Sequence, residues 1–196
     1  AGVEDIDAIL YTHAHADHVH GIDDIRSFNY RRSGPIDAWA SAATLETLNY
    51  RFAYVFEPYP TPKPRFFRPC LAPRAIDGPF TVGDIDIVPF AQDHGRMPSL
   101  GFRFGRFAYS TDVHSLDEAA FESLAGIEFW IVDCLSETPH PTHSHLSQTL
   151  EWIERVGPKQ AWLTHLSHTM DYATLAAKCP PGVAPAHDGL VIDLDS

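Results

Sequence analysis

The segment His13-Ala14-His15-Ala16-Asp17-His18 constrains this chain more than any other. It follows the short apolar run Ala8–Tyr11, so the sequence predicts a strand that delivers it at its C-terminal end. Two histidines two residues apart, directly after a strand, can face one cation. The next turn can aim Asp17 and His18 at a second cation a few ångströms away, and the small Ala14 and Ala16 leave room for both. Imidazole and carboxylate together suit zinc, manganese or iron, and no cysteine-rich set competes with them. A polar loop that is histidine-rich by coincidence would not fill these four positions with four uncommon donors.

Three further candidates share a pattern, each lying just beyond a run that reads as a strand. His94 follows Ile85–Phe90, Asp112 follows Phe107–Ser110, and His165 follows Ala161–Leu163. Ligands gathered from several strand ends build a site at one edge of the sheets, where α/β folds commonly place function. Alone, each reads as a capping or core residue. With the first segment they supply a third ligand for each of two ions and a carboxylate to bridge them.

The chain has 196 residues, enough for one domain, 1–196, with a sizeable core. No apolar run approaches the ~20 residues that span a bilayer, and no signal peptide opens the chain. The net charge of −12 argues against a general nucleic-acid-binding surface. Arg26, Arg31, Arg32, Arg51, Lys63, Arg65, Arg68 and Arg74 fall in one stretch, which reads equally as a solvated face or a phosphate-facing one. Three scattered cysteines (Cys70, Cys134, Cys179) make neither a disulfide framework nor a thiolate site and fit a reducing, cytoplasmic compartment.

The order of elements predicts an α/β protein with mixed sheets. A helix is expected after Gly21 and another around Ala42–Leu48. The proline-dense stretch from Pro58 to Pro73, with Phe52, Tyr54, Phe56, Tyr59, Phe66 and Phe67 in or beside it, reads as an irregular loop and slightly favours an aromatic plug over the core. Strands are expected at Phe80–Val82, Ile85–Phe90, Leu100–Phe104 and Phe107–Ser110, with turns at Gly83-Asp84 and Gly105-Arg106. Helices are expected at Ser115–Leu124, through Leu146, Leu150 and Ile153, and at Asp171–Lys178 with Asp171 as N-cap. The remaining strands are placed at Phe129–Val132, Ala161–Thr164 and Val191–Leu194.

The HxHxDH segment, the later His94-Gly95, the Ser110-Thr111-Asp112 after a strand and the final Thr164-His165-Leu166-Ser167-His168 resemble the metallo-β-lactamase superfamily. Within it the chain looks most like the phosphoribosyl cyclic phosphodiesterase subgroup of phosphonate metabolism, over a span from about Ala8 to the C-terminus. Two segments carry the subgroup: His140-Pro141-Thr142-His143-Ser144-His145-Leu146, and Pro180-Pro181-Gly182-Val183 leading to Asp188-Gly189-Leu190. The resemblance implies an αββα sandwich of mixed sheets flanked by helices. It implies two divalent ions, manganese or zinc with iron allowed, one bound by His13, His15 and His94, the other by Asp17, His18 and His165, with Asp112 bridging. His143 is implied as general acid, and Asp17 joins it as a candidate catalytic residue. His140, His145, His168 and His187 are not expected to be ligands. Family members carry further strands before HxHxDH, whereas twelve residues precede His13 here, so either the native chain is longer or the first sheet lacks its N-terminal strands.

The implied activity is hydrolysis of a small, cyclic phosphodiester by a hydroxide shared between the ions, with His143 protonating the leaving oxygen. The expected partner is that substrate alone, with no membrane and no nucleic acid, and a homodimer is compatible with the sequence. Rival readings on the same site are a tRNA 3′-end nuclease, a thioester hydrolase and a lactamase. A further rival is a non-catalytic cofactor-binding relative, disfavoured because every ligand position is filled.

Overall fold

A computed structural model of the chain describes residues 2–32, 34–58 and 68–194. Tyr59, Pro60, Pro62, Lys63, Pro64, Arg65, Phe66 and Phe67, which the sequence reading assigned to the proline-dense loop, lie outside the described residues. Backbone contacts divide the chain into two units, Ala1–Asp84 and Ile85–Ser196.

In the first unit, β1 (Ala8–Leu10), β2 (Ile36–Ala40) and β3 (Leu71–Ala75) form a parallel sheet in the order β1-β2-β3. The central strand alternates: Ile36, Ala38 and Ala40 are fully buried and Asp37 and Trp39 are not. Pro73 is tolerated in β3 because this is the sheet's outer strand, where a missing N–H breaks no ladder on the open side. Between β1 and β2 run α1 (Ala16–Val19), a 3₁₀ turn at His20–Asp23 and α2 (Arg26–Arg32). The expected helix after Gly21 therefore begins earlier and is broken. Its first turn starts inside the histidine segment at Ala16. After β2, α3 (Ala42–Arg51) starts at Ser41, whose hydroxyl accepts from the Thr44 amide at 3.2 Å, and α4 (Ala53–Phe56) follows. Val19, Ile22, Ile36, Leu48, Val55 and Leu71 are among the residues of this unit's core. Phe56 is part of it and Phe52 packs against it, while Tyr54 is exposed and donates to Asp23 at 2.9 Å. A short strand β4 (Phe80–Val82) and the Gly83-Asp84 turn end the unit.

The second unit opens with β5 (Ile85–Asp93), β6 (Pro98–Phe104) and β7 (Phe107–Ser110), which pair antiparallel, with the turn between β6 and β7 at Gly105-Arg106 as expected. Then α5 (Glu118–Leu124), β8 (Phe129–Asp133), α6 (Leu146–Val156), β9 (Gln160–Thr164), α7 (Tyr172–Lys178) and β10 (Val183–Pro185) alternate strand with helix. Strands β7, β8, β9 and β10 are parallel neighbours, so their C-terminal ends share one edge. Helix α6 ends where Gly157 takes the left-handed conformation, and α7 starts at Asp171, whose carboxylate accepts from the Thr174 amide. The expected strand at Val191–Leu194 does not form. The position beside β9 is taken by Val183–Pro185, and Val191 is 87% exposed. Three apolar residues were read there as a strand, but a strand needs a partner with free backbone groups.

Trp130 in β8 is fully buried at the centre of this unit's core and donates its indole N–H to the Ser110 hydroxyl at 2.9 Å. Replacing it with alanine should cost about 3–5 kcal/mol of unfolding free energy, readable by denaturant titration. Among the described residues no helix is long and apolar enough to cross a membrane. The chain thus has the α/β architecture, with parallel and mixed sheets and flanking helices, that the sequence predicts.

Candidate metal centre

In the first unit, β1 ends two residues before Thr12, and the Tyr11 amide bonds the Trp39 carbonyl at 2.8 Å, which carries the extended chain towards His13. His13 is fully buried. Its Nδ1 lies 3.0 Å from the Thr12 hydroxyl, which orients the ring, and its Nε2 lies 3.0 Å from His15 Nδ1. Helix α1 then carries Asp17 and His18, with His18 Nε2 3.4 Å from Asp17 Oδ2 and the His13 and His18 rings 4.4 Å apart. His15 and Asp17 are exposed. A second element fixes the segment: Arg51, at the end of α3, donates to the Ala14 carbonyl at 2.7 Å. This was not legible in the sequence, where Arg51 was one of a run of basic residues. Of that run, Arg26, Arg31, Arg32 and Arg74 pair with Asp23, Glu4, Asp5 and Asp37, which supports the solvated-face reading for those four.

In the second unit the carboxylate of Asp112, only 1% exposed, divides its two oxygens between two imidazoles. Oδ2 lies 3.5 Å from His94 Nε2 and Oδ1 lies 3.4 Å from His165 Nε2. His94 donates Nδ1–H to the Thr142 carbonyl at 2.7 Å, because a carbonyl can only accept. If the ring is neutral, the lone pair of Nε2 then points towards a carboxylate oxygen. Two acceptors face each other across 3.5 Å in a dry site, an arrangement that a shared cation makes favourable. The spacing agrees: two donors about 2.0–2.2 Å from one ion at a tetrahedral angle stand roughly 3.4 Å apart. The residues therefore fit divalent metal. His165 follows β9 directly with φ 59°, a left-handed conformation that few non-glycine residues adopt. Such local strain turns the side chain out of the strand's alternation and is common where function fixes the backbone.

His143, which the resemblance implied as proton donor, is buried, with Nδ1 3.0 Å from Asp133 Oδ2 and Nε2 3.9 Å from Asp112 Oδ2. Its ring stacks on that of His165 with centroids 4.8 Å apart. Asp133 was missed from the sequence. It is fully buried, and its Oδ2 also accepts from the Val113 amide at 2.9 Å. The signal was present: Phe129-Trp130-Ile131-Val132-Asp133 is an apolar strand ending in a carboxylate, the same pattern that singled out Asp112. The side chains of Asp133, His143 and His165 have ligand-capable atoms within 4.8 Å of one another.

Three of the other histidines make local contacts. His145 contacts Gln148 Oε1 at 3.1 Å at the start of α6, and His187 meets the Asp188 carbonyl at 3.0 Å and the edge of Tyr172. His140, 5.2 Å from the His143 ring, has its pKa held below the usual imidazole range by burial and by its neighbour His143. Asp93 braces the loop that carries His94. It accepts from Ser115 Oγ at 2.9 Å and from the Gly95 amide at 2.8 Å, and the Ser115 bond is the larger cause of its lowered pKa.

The family model of the beta-lactamase superfamily domain matches residues 1–166. The chain belongs to the metallo-β-lactamase superfamily. A crystal structure of a new diphosphatase from the PhnP family shares 32% identity with this superfamily member at a TM-score of 0.87, over 96% of this chain and 71% of that one. This likeness places the chain in the PhnP-like subgroup, as the sequence predicts. The anti-Pycsar protein Apyc1 of Paenibacillus harenae is 30% identical over 85% of this chain and 71% of its own length. An octanoyltransferase of Porphyromonas gingivalis is 32% identical over 100% of this chain, which spans 39% of that protein's length. The short form of human tRNase Z, at 17% identity and a TM-score of 0.68, shares the fold.

Proposed function

We propose that this metallo-β-lactamase-fold hydrolase is a two-metal phosphodiesterase acting on a small, cyclic phosphodiester, and that its two units work as one catalytic domain. The observation that carries the reading is Asp112, whose two oxygens each face an imidazole at metal-sharing distance. The likeness to a PhnP-family diphosphatase supports phosphorus as the reacting centre. On this reading His13, His15 and His94 would hold one ion, Asp17, His18 and His165 would hold the other, and Asp112 would be shared between them. Manganese and zinc both suit such a donor set, and iron is compatible with it. Bound there, the ions supply Lewis acidity and bring the pKa of a water towards neutrality, the source of the nucleophile.

The protein's own groups do the rest. Asp133, a carboxylate, accepts Nδ1–H of His143 and so presents Nε2 as the nitrogen that carries a proton to the leaving oxygen. The stack on His165 and the burial of His143 hold that nitrogen in place. Thr142 O and Thr12 Oγ1 orient His94 and His13.

The test is hydrolysis of bis(p-nitrophenyl) phosphate by the chain loaded with manganese, then zinc, with p-nitrophenyl octanoate run in parallel. Metal-dependent turnover of the phosphodiester supports the reading, and its absence with two ions bound overturns it. The octanoate arm addresses acyl chemistry, which the octanoyltransferase relative brings into question. Burial pushes the Cys134 thiol up to about 12 and raises the Cys70 and Cys179 thiols too, away from the reactive thiolate, which does not favour acyl transfer on these groups.

A further inference from the structure

Gln92 and Ser99 are cross-strand partners on β5 and β6, and both are almost completely buried. Their side chains do not serve the sheet. Gln92 Nε2 donates to Ser99 Oγ at 3.0 Å, and Ser99 Oγ donates in turn to the backbone carbonyl of Asp112 at 2.5 Å, with Gln92 Nε2 a further 3.4 Å from the same oxygen. The other end of the amide, Gln92 Oε1, is buried with no hydrogen-bond partner among the described residues. A buried amide left half satisfied is costly and is retained for what its satisfied end does. The space around it is also reserved. A Cβ on Gly101 would lie 2.3 Å from the Phe90 ring and 2.6 Å from Gln92 Oε1, so glycine there lets the amide sit where it does.

We propose that Gln92 and Ser99 are positioning residues for the metal centre, which set the Asp112 carboxylate against His94. The inference rests on the two-metal reading above. Gln92 lies on β5 two residues before His94, which directly follows that strand, and its bond chain ends on the backbone of Asp112. One buried pair thereby ties the ligand-bearing strand end to the carboxylate opposite it, across the 3.5 Å gap between His94 Nε2 and Asp112 Oδ2. Thr111 Oγ1 completes the hold at the other end by donating to Asp112 Oδ1 at 2.8 Å.

The experiment is a cobalt(II) and manganese titration of the full chain against Ser99→Ala, followed by calorimetry and by the visible ligand-field spectrum of the cobalt form. A positioning role gives a weakening of metal affinity of about 10–100-fold and an altered cobalt spectrum. Gln92→Met keeps the side-chain volume, removes the donor, and should move both readouts the same way if Ser99→Ala fails to fold. Unchanged affinity and spectrum in a variant that only melts earlier would overturn the proposal and leave a packing role. Failure of the unmodified chain to bind cobalt or manganese would instead sink the two-metal reading, and this inference with it.

Discussion

An Asp112→Ala chain is expected to fold, to hold metal poorly, and to show no metal-dependent phosphodiesterase turnover. The sign of its stability change separates a metal ligand from a structural acid. Without metal, Asp112 is a carboxylate at 1% exposure with imidazole nitrogens at 3.4 and 3.5 Å, and burying such a group is costly. Its removal should leave the melting temperature of the metal-free protein unchanged or raised. With metal, the unmodified chain gains about 2.7 kcal/mol per ion at a hundredfold excess over Kd, roughly 5–11 °C for a chain of this size, and the variant loses most of that gain. Thermal melts with and without manganese measure both quantities. A variant that melts much earlier without metal, yet keeps the metal-dependent gain, would show that Asp112 is structural.

His143→Ala should behave in the opposite way, keeping its metal and losing about 10²–10⁴ in turnover. The loss should depend on the leaving group. A p-nitrophenolate departs without help, so bis(p-nitrophenyl) phosphate should suffer least, whereas a diester with an alkoxide leaving group should suffer most. Equal losses on both substrates would remove His143 from the role of acid, and a fall in metal content would make it a ligand. Asp133 keeps its bond from the Val113 amide in this variant, so the burial of its carboxylate does not by itself unfold the chain.

The sequence singled out candidate ligands because such residues are read by type and by position after a strand, both of which are local. His94 directly after β5 and His165 directly after β9 are such cases. Asp133 shares that local pattern, but its pairing with His143, ten residues later after a loop whose path no periodicity reports, was not legible. Arg51 escaped for the same reason: its bond to Ala14 spans 37 residues. In the fold, the strands beside the Gly83-Asp84 and Gly105-Arg106 turns were legible, as were the starts of α3 and α7. The first sheet was harder. β2 and β3 carry Asp37, Trp39, Pro73 and Arg74, which blur the apolar signal, and only their parallel pairing makes them strands. The misplaced final strand shows the converse, since Val191-Ile192 has the composition of a strand but no neighbour to bond.

Three of the ligand-bearing segments are held through peptide oxygens: Ala14 by Arg51, Asp112 by Ser99, and His94 by the carbonyl of Thr142. A peptide oxygen is supplied by any residue, so the anchor of the His94 ring survives a change of side chain at position 142. At position 143, one residue along, the proposed role rests on the side chain itself. On the proposed reading, neighbouring positions in one loop thus differ in which part of the residue matters, backbone at one and side chain at the next. On that reading, the loop varies what it presents at position 143 while its hold on the His94 ring stays fixed by the backbone.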